Sequence, residues 1–316
     1  MKKVFALLLC LILAFGCLAS AETNVRVAAL KGPTAMGMAQ MITASQEDEA
    51  SVYSFNIAAS ADEITPQLIQ GNLDIAAVPA NLAAVLYNNT QGAVKVLAIN
   101  TLGVLYIVER GDSIQSVADL RGKTIYSAGK GSTPEFALNY ILQGNGLDPT
   151  KDVTIEYKSE HTECLAAILQ DETAVAMLPQ PFATTAQTKA EDMRIALDLT
   201  AEWDKLTQES SMITGVVVAR SAWLEENPEA AAAFMADYQA SVEYVNANTA
   251  EAAEMIGNLD IVTAEVAEKA LPYCNITYIA GTEMQQKLSG YLNVLFEQDA
   301  ASVGGKLPDD AFYYVG

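Results

Sequence analysis

Apolar runs and amphipathic stretches alternate along this chain, and the alternation repeats. Val25 to Leu30 reads as a buried strand, followed from Pro33 by a helix carrying Met36, Met38, Met41 and Ile42. Ser54 to Ala58 alternates as a second strand. A helix over Glu63 to Gln70 turns through Gly71-Asn72-Leu73-Asp74 into a strand, Ile75 to Val78, and a further helix spans Asn81 to Asn88. At an offset of 100, Leu68 through Pro79 is answered in register by Ile168 through Pro179. Lys31-Gly32-Pro33-Thr34 is echoed by Lys130-Gly131-Ser132-Thr133 at an offset of 99. Strands alternating with helices predict an α/β fold with mainly parallel sheets, one sheet for each copy.

Between the copies lies an apolar run, Val94 to Val108, too long for one straight strand within a single lobe. It reads as a crossing, with Asn100-Thr101 near the hinge. Ser113 to Leu120 reads as a short helix, and Thr124 opens the second copy. Asp198-Leu199-Thr200 begins the return, and Met212 to Ala219 re-enters the first lobe as a second hinge strand. The expected lobes are 22–103 with 212–316, and 104–211. Beyond the return the chain is helical. Asn227-Pro228-Glu229 combines a capping side chain, a proline at the first helical position and an acid near the positive end. Further helices are expected over Thr249 to Ile256, Thr263 to Lys269 and Glu283 to Phe296.

Residues 1–21 stand apart from this pattern, because Lys2 and Lys3 followed by an apolar run to Phe15 form an export signal. Ala19-Ser20-Ala21 fits ordinary cleavage, whereas Gly16-Cys17 fits a lipobox with Cys17 lipidated; both endings stand. The expected location is the periplasm or cell surface. Of 316 residues about 295 remain, enough for two domains with real cores. Thirty-nine acids oppose 18 bases, and without Lys2 and Lys3 the balance is 16 minus 39, or −23. That charge repels phosphate backbones and excludes nucleic acid as a partner. One histidine, with no Cys-x-x-Cys or His-x-x-x-His, argues against zinc, and no metal or cofactor is expected. Cys164 and Cys274 are expected to stay unpaired.

In an open α/β sheet, ligands bind beyond the carboxyl ends of the strands, where loops enter helix N-termini. Both Lys-Gly-x-Thr turns hold that position. A helix N-terminus offers unpaired N–H groups and partial positive charge, and glycine lets the backbone approach a ligand. Gly32, Pro33 and Thr34, and Gly131, Ser132 and Thr133, are therefore candidate ligand contacts, their hydroxyls either meeting ligand or capping helices. The loops after the second strands correspond as well, which adds Ser60, Asp62, Glu160 and His161. Pro79 and Pro179 end strands at the rim of a cleft and bring Asn81, Gln180 and Phe182 near it. Asn100 and Thr101 complete the set at the hinge. The competing reading for each is structural: a cap, a solvated side chain or loop geometry. No Gly-x-Ser-x-Gly, Gly-x-x-x-x-Gly-Lys-Ser/Thr or Gly-x-Gly-x-x-Gly opening a helix is present, so hydrolase and nucleotide-binding signatures are lacking.

At several stretches the chain resembles the solute-binding proteins of ABC importers, in the nitrate, taurine and sulfonate group that includes binders of thiamine-pyrimidine precursors. The resemblance is carried by Val25 to Met38, Gly71 to Ala76, Ile114 to Thr124, Gly146 to Pro149 and Leu178 to Ala183. Gly215 to Ala219 and the helix start at Asn227 also fit. The resemblance implies a two-lobed periplasmic-binding-protein type II fold with two hinge crossings, closure on ligand, and delivery to an ABC permease in the membrane. It carries ligand contact onto Gly32 to Thr34, Ser60, Pro79 and Ser132-Thr133. Relatives of the fold include a yeast pyrimidine synthase, whose cysteine-rich segment has no counterpart here.

The expectation is a monomeric, non-enzymatic receptor for a small organic anion such as a sulfonate or nitrate-like solute, with Lys31 or Lys130 suiting its charge. A neutral heteroaromatic precursor stacked on Tyr126, Phe136 or Phe182 is the alternative ligand. An enzyme on the same scaffold would need Glu135, Glu160 or His161 as acid or base. A sensing module docking onto a receptor is the remaining rival.

Overall fold

The computed structural model describes residues 24–171, 173–207 and 209–315; the expected export signal and Cys17 lie outside them. The first copy runs β1 (Val25–Leu30), α1 (Pro33–Met36), α2 (Ala39–Glu47), β2 (Tyr53–Ala58), α3 (Ala61–Ile69), β3 (Ile75–Pro79) and α4 (Ala80–Asn89). Gly37 breaks the single helix expected after Pro33. A Cβ there would lie 2.9 Å from the Ile276 side chain, so the bare backbone packs where a side chain has no room.

The apolar run divides into β4 (Val94–Leu102) and β5 (Leu105–Arg110), which belong to different sheets. The crossing therefore falls at Gly103-Val104 and not at Asn100-Thr101. Those two residues are buried inside β4, where Thr101 pairs with Gly215 and Ile276. A 3-10 turn, Val117–Leu120, replaces the short helix expected before the second copy.

The second copy runs β6 (Thr124–Ala128), α5 (Thr133–Gly144), β7 (Thr154–Lys158), α6 (His161–Gln170), β8 (Val175–Pro179), α7 (Phe182–Lys189), β9 (Met193–Asp198) and α8 (Leu199–Leu206). The return strand is β10 (Ile213–Arg220), followed by α9 (Ser221–Glu226), α10 (Pro228–Ala247), α11 (Thr249–Asn258) and α12 (Ala264–Ala270). Then come β11 (Ile276–Ala280) and α13 (Gly281–Gln298).

The six-stranded sheet has the order β11-β4-β10-β3-β1-β2, and the five-stranded sheet β7-β6-β8-β5-β9. Within each copy the strands are parallel, as alternation with helices requires. The crossing strands run the other way: β10 is antiparallel to β3 and β4, and β5 to β8 and β9. The sheets are thus mixed rather than mainly parallel, because each crossing strand enters its sheet from the opposite lobe. The two lobes place equivalent strands in equivalent slots, with Pro79 opposite Gly215 and Pro179 opposite Leu105.

Central strands buried on both faces account for near-continuous apolar runs such as Ile75 to Val78. One apolar cluster extends through both lobes, joining Val78, Val96 and Tyr291 to Ile107, Met177 and Trp203. Cys164 and Cys274 are free and buried. Among the described residues no helix is long and apolar enough to cross a membrane.

Candidate functional site

A cavity of about 380 Å³ lies where the carboxyl ends of both parallel strand sets meet the crossing strands. From the first lobe, Leu30 and Lys31 leave β1, Pro33 and Thr34 open α1, Pro79 ends β3 and Asn81 sits in the first turn of α4. From the second, Ser132, Thr133 and Pro134 begin α5, His161 begins α6, and Pro179 and Gln180 follow β8. Val104, Leu105 and Thr214 form the floor, contributed by the two crossings.

The turn into α5 is shaped by glycine. Gly129 and Gly131 hold φ of +81° and +73°, and Ser132 donates from Oγ to the Gly129 carbonyl at 2.5 Å. Gly131 lies off the cavity wall, donating its N–H to Glu135 Oε2 at 2.5 Å. Gly32, also off the wall, holds φ of +119° and accepts from the N–H groups of Ala35 and Met36 at 3.0 and 3.1 Å. The Thr34 hydroxyl donates to the Leu30 carbonyl at 2.8 Å, so it secures its own turn. Asn100 supports that turn from behind, donating from Nδ2 to the Thr34 carbonyl at 3.3 Å. Asn100 and Thr101 are thus scaffold beneath the site and not part of its wall.

Four further candidates lie outside the wall. Ser60 and Glu63 form a capping box at the start of α3, with the Ser60 N–H and hydroxyl donating to Glu63 Oε1 at 3.1 and 3.3 Å. Asp62 is exposed in the same first turn. Glu160 is exposed and accepts from the Thr162 hydroxyl at 3.2 Å. Phe182 stands behind His161, their rings 5.5 Å apart and tilted by 41°, and so backs a wall residue without reaching the cavity.

Leu30, Val104, Leu105, Pro134 and Thr214 line the cavity without having been singled out in the sequence. Lys31 does too, and there its charge was the signal; its ammonium lies 3.3 Å from the exposed Asp260 carboxylate, a pair that water screens. Lys130 does not reach the cavity and lies 5.6 Å above the Tyr157 ring.

The wall is mostly apolar, and no Asp or Glu contributes to it among the described residues. Burial pulls the pKa of His161 below its ordinary 6.5 and keeps the imidazole neutral. Its Nδ1 is buried without a hydrogen-bond partner. Of the groups an enzyme would need, only His161 reaches the cavity; Glu135 holds the Gly131 turn and Glu160 faces solvent. Tyr126 lies beneath the Lys158 ammonium at 4.9 Å, Phe136 is in the core and Phe182 backs His161, so none of these rings can stack on a ligand in the cavity. Among the described residues, no group of three or more His, Cys, Asp or Glu side chains is arranged to hold a metal.

The model of the phosphonate periplasmic substrate-binding proteins of ABC transporters matches residues 50–271. The chain belongs to that family. It is a periplasmic substrate-binding protein of an ABC transporter, a class that binds small ligands and works with a membrane permease. The crystal structure of an ABC transporter from Parabacteroides distasonis is 25% identical, with 92% of this chain and 99% of that one covered at a TM-score of 0.77. The periplasmic aliphatic sulphonate binding protein SsuA from Escherichia coli is 17% identical, with 92% of each chain covered and a TM-score of 0.73. The alkanesulfonate-binding SsuA from Xanthomonas axonopodis pv. citri, solved with MOPS, is 15% identical over 93% of this chain and 96% of that one, at a TM-score of 0.62. The two SsuA structures share the fold. No curated protein sequence matches the chain.

Proposed function

We propose that this receptor closes its two lobes on a small organic anion, a sulfonate or phosphonate with a short apolar body, and presents the closed form to a permease. The observation that carries this reading is the convergence of the N-termini of α4, α5 and α6, together with Lys31, on one apolar-walled cavity. Each N-terminus contributes unpaired N–H groups and partial positive charge, which favour an acid group without a buried cation. Pro79, Pro179, Val104 and Leu105 offer apolar surface to the rest of the solute. A neutral heteroaromatic ligand would need a ring partner, and among the described residues the cavity offers only the His161 imidazole.

Ligand touching both lobes interacts fully only in the closed arrangement, so its binding energy shifts the population towards closure. We take the receptor to act as a monomer, with residues 22–103 and 212–316 against 104–211 as the moving lobes. The test is thermal unfolding with ethanesulfonate, ethylphosphonate, nitrate and a neutral aminopyrimidine. An anion at a hundredfold excess over its dissociation constant should stabilise the protein by about 2.7 kcal/mol. Stabilisation by the pyrimidine alone would overturn the anion reading.

A further inference from the structure

Gln180 lies on the cavity wall at 2% exposure, between the end of β8 and the start of α7. Its carboxamide oxygen accepts from the Thr184 N–H at 3.3 Å and from the Thr184 hydroxyl at 2.9 Å. A backbone N–H can only donate, so the oxygen has to face Thr184 and the amide cannot be flipped. The other end of the amide, Nε2, is buried and has no partner. A buried N–H left unpaired is unfavourable, and an acceptor brought by a ligand removes that penalty.

The rest of the wall narrows what the ligand can be. On the first lobe, two side-chain donors are engaged locally: the Thr34 hydroxyl donates to the Leu30 carbonyl, and Asn81 Nδ2 donates to the Ser302 carbonyl at 3.3 Å. Among the described residues no carboxylate lines the cavity, and the one amide oxygen on the second lobe's side is taken by Thr184. An ammonium group on the solute would therefore meet only neutral acceptors, the His161 imidazole and Asn81 Oδ1, and no carboxylate, whereas a carbonyl or carboxylate oxygen would meet the Gln180 donor.

We infer that Gln180 determines specificity by donating from Nε2 to a second acceptor on the solute, so that this receptor selects acids bearing a carbonyl or carboxylate oxygen and rejects those bearing an amine. This rests on the anion reading given above. It assigns discrimination between solutes to one residue of the second lobe.

The test is isothermal titration calorimetry of the full chain against two short-chain sets. Ethanesulfonate and ethylphosphonate carry no second polar group, sulfoacetate and phosphonoacetate carry an acceptor, and taurine and 2-aminoethylphosphonate carry an ammonium. The wild type should prefer the acceptor-bearing member of each set to the ammonium-bearing member by about tenfold or more. Gln180→Met should lower affinity for the acceptor-bearing members to within about twofold of its affinity for the plain ones. Gln180→Glu, which keeps the shape and supplies an acceptor, should reverse the preference towards the ammonium-bearing members; melting curves establish that both variants fold. Equal affinity of wild type and Gln180→Met for the acceptor-bearing acids, or an unreversed preference in a folded Gln180→Glu, would overturn the assignment while leaving the anion reading intact. Failure of the wild type to bind any of the six would overturn the anion reading and this inference with it.

Discussion

The indole of Trp203 packs against the phenol ring of Tyr291, with centroids 5.5 Å apart and planes tilted by 52°. Trp203 lies on α8 against the five-stranded sheet, whereas Tyr291 lies on α13 against the six-stranded one. Tyr140 of α5 covers the other side of the indole at 4.2 Å, and the indole Nε1 donates to Ser210 Oγ at 3.0 Å. The two lobes are therefore joined by an aromatic cluster in which Trp203 and Tyr291 are fully buried and Tyr140 partly so, and the closure proposed above would have to pivot about it or slide along it.

Removing this stack should destabilise both lobes together. A buried Trp→Ala change costs about 3–5 kcal/mol through lost burial and the cavity left behind. Trp203→Ala should lower unfolding free energy by that amount in urea, followed by far-ultraviolet circular dichroism. A loss below about 1 kcal/mol would mean that the neighbouring rings collapse into the space and that the stack is not a structural joint.

Gly290 tests the same region from the backbone side. A Cβ at Gly290 would lie 2.7 Å from the Glu209 carbonyl oxygen and 2.8 Å from Ser210 Cβ, on the second crossing. Alanine is favoured over glycine by about 1 kcal/mol within a helix, so propensity alone predicts stabilisation. The contact is with backbone and cannot be relieved by rotating a side chain, and overpacking of this kind costs about 1–3 kcal/mol. Gly290→Ala should accordingly lower the melting temperature; a rise would show that α13 and the crossing separate easily.

Acid should weaken the fold in two stages. Burial depresses the His161 pKa, so the unfolded chain binds a proton more readily, and stability present above pH 6.5 declines as pH falls through the depressed value. The second stage comes from two buried carboxylates. Burial alone would raise Asp74, but hydrogen bonds from Arg26 and Arg220 outweigh it and hold it below its ordinary 3.8. Glu109 is likewise raised by burial, yet falls below 4.5 through the Ile114 N–H, the Ser113 hydroxyl and Arg194. Their contribution is complete above these ordinary values and is lost below them. Melting temperature against pH should bend first near 6.5 and again below 4.5. His161→Gln should remove the first bend only; its survival would assign that bend elsewhere.

Pro79 and Pro179 show why the cavity could be found from the sequence. Repetition at a fixed offset marks equivalent strand ends, and strand ends are where a parallel α/β lobe meets its ligand. The two proline positions, Thr34, Asn81, Ser132, Thr133, His161 and Gln180 do line one cavity. Side-chain direction was not legible in the same way. Nothing in the residue type of Thr34 distinguishes a hydroxyl bonded to Leu30 from one aimed at a ligand, and the Ser60 and Glu63 spacing is that of a capping box whichever way the loop faces. Val104 and Thr214 were hidden because they sit in apolar crossings, where exact placement depends on pairing between strands far apart in sequence. β11, a short edge strand with a broken register against β4, carries little periodic signal of its own.

Ser60 and His161 provide the sharpest separation of scaffold from site, because they stand at matching helix starts in the two copies. Ser60 caps α3 outside the cavity, and His161 opens α6 on its wall. Replacing an N-cap serine with alanine costs about 1 kcal/mol. Ser60→Ala should therefore lower stability by about that amount and leave ethylphosphonate affinity unchanged in calorimetry. His161→Ala should do the reverse, weakening ethylphosphonate binding by about tenfold, the equivalent of one lost charge-assisted hydrogen bond, while the melting temperature at pH 7 changes little. If Ser60→Ala weakens binding as much as His161→Ala, the Ser60 loop reaches the solute and Ser60 belongs to the site and not to its scaffold.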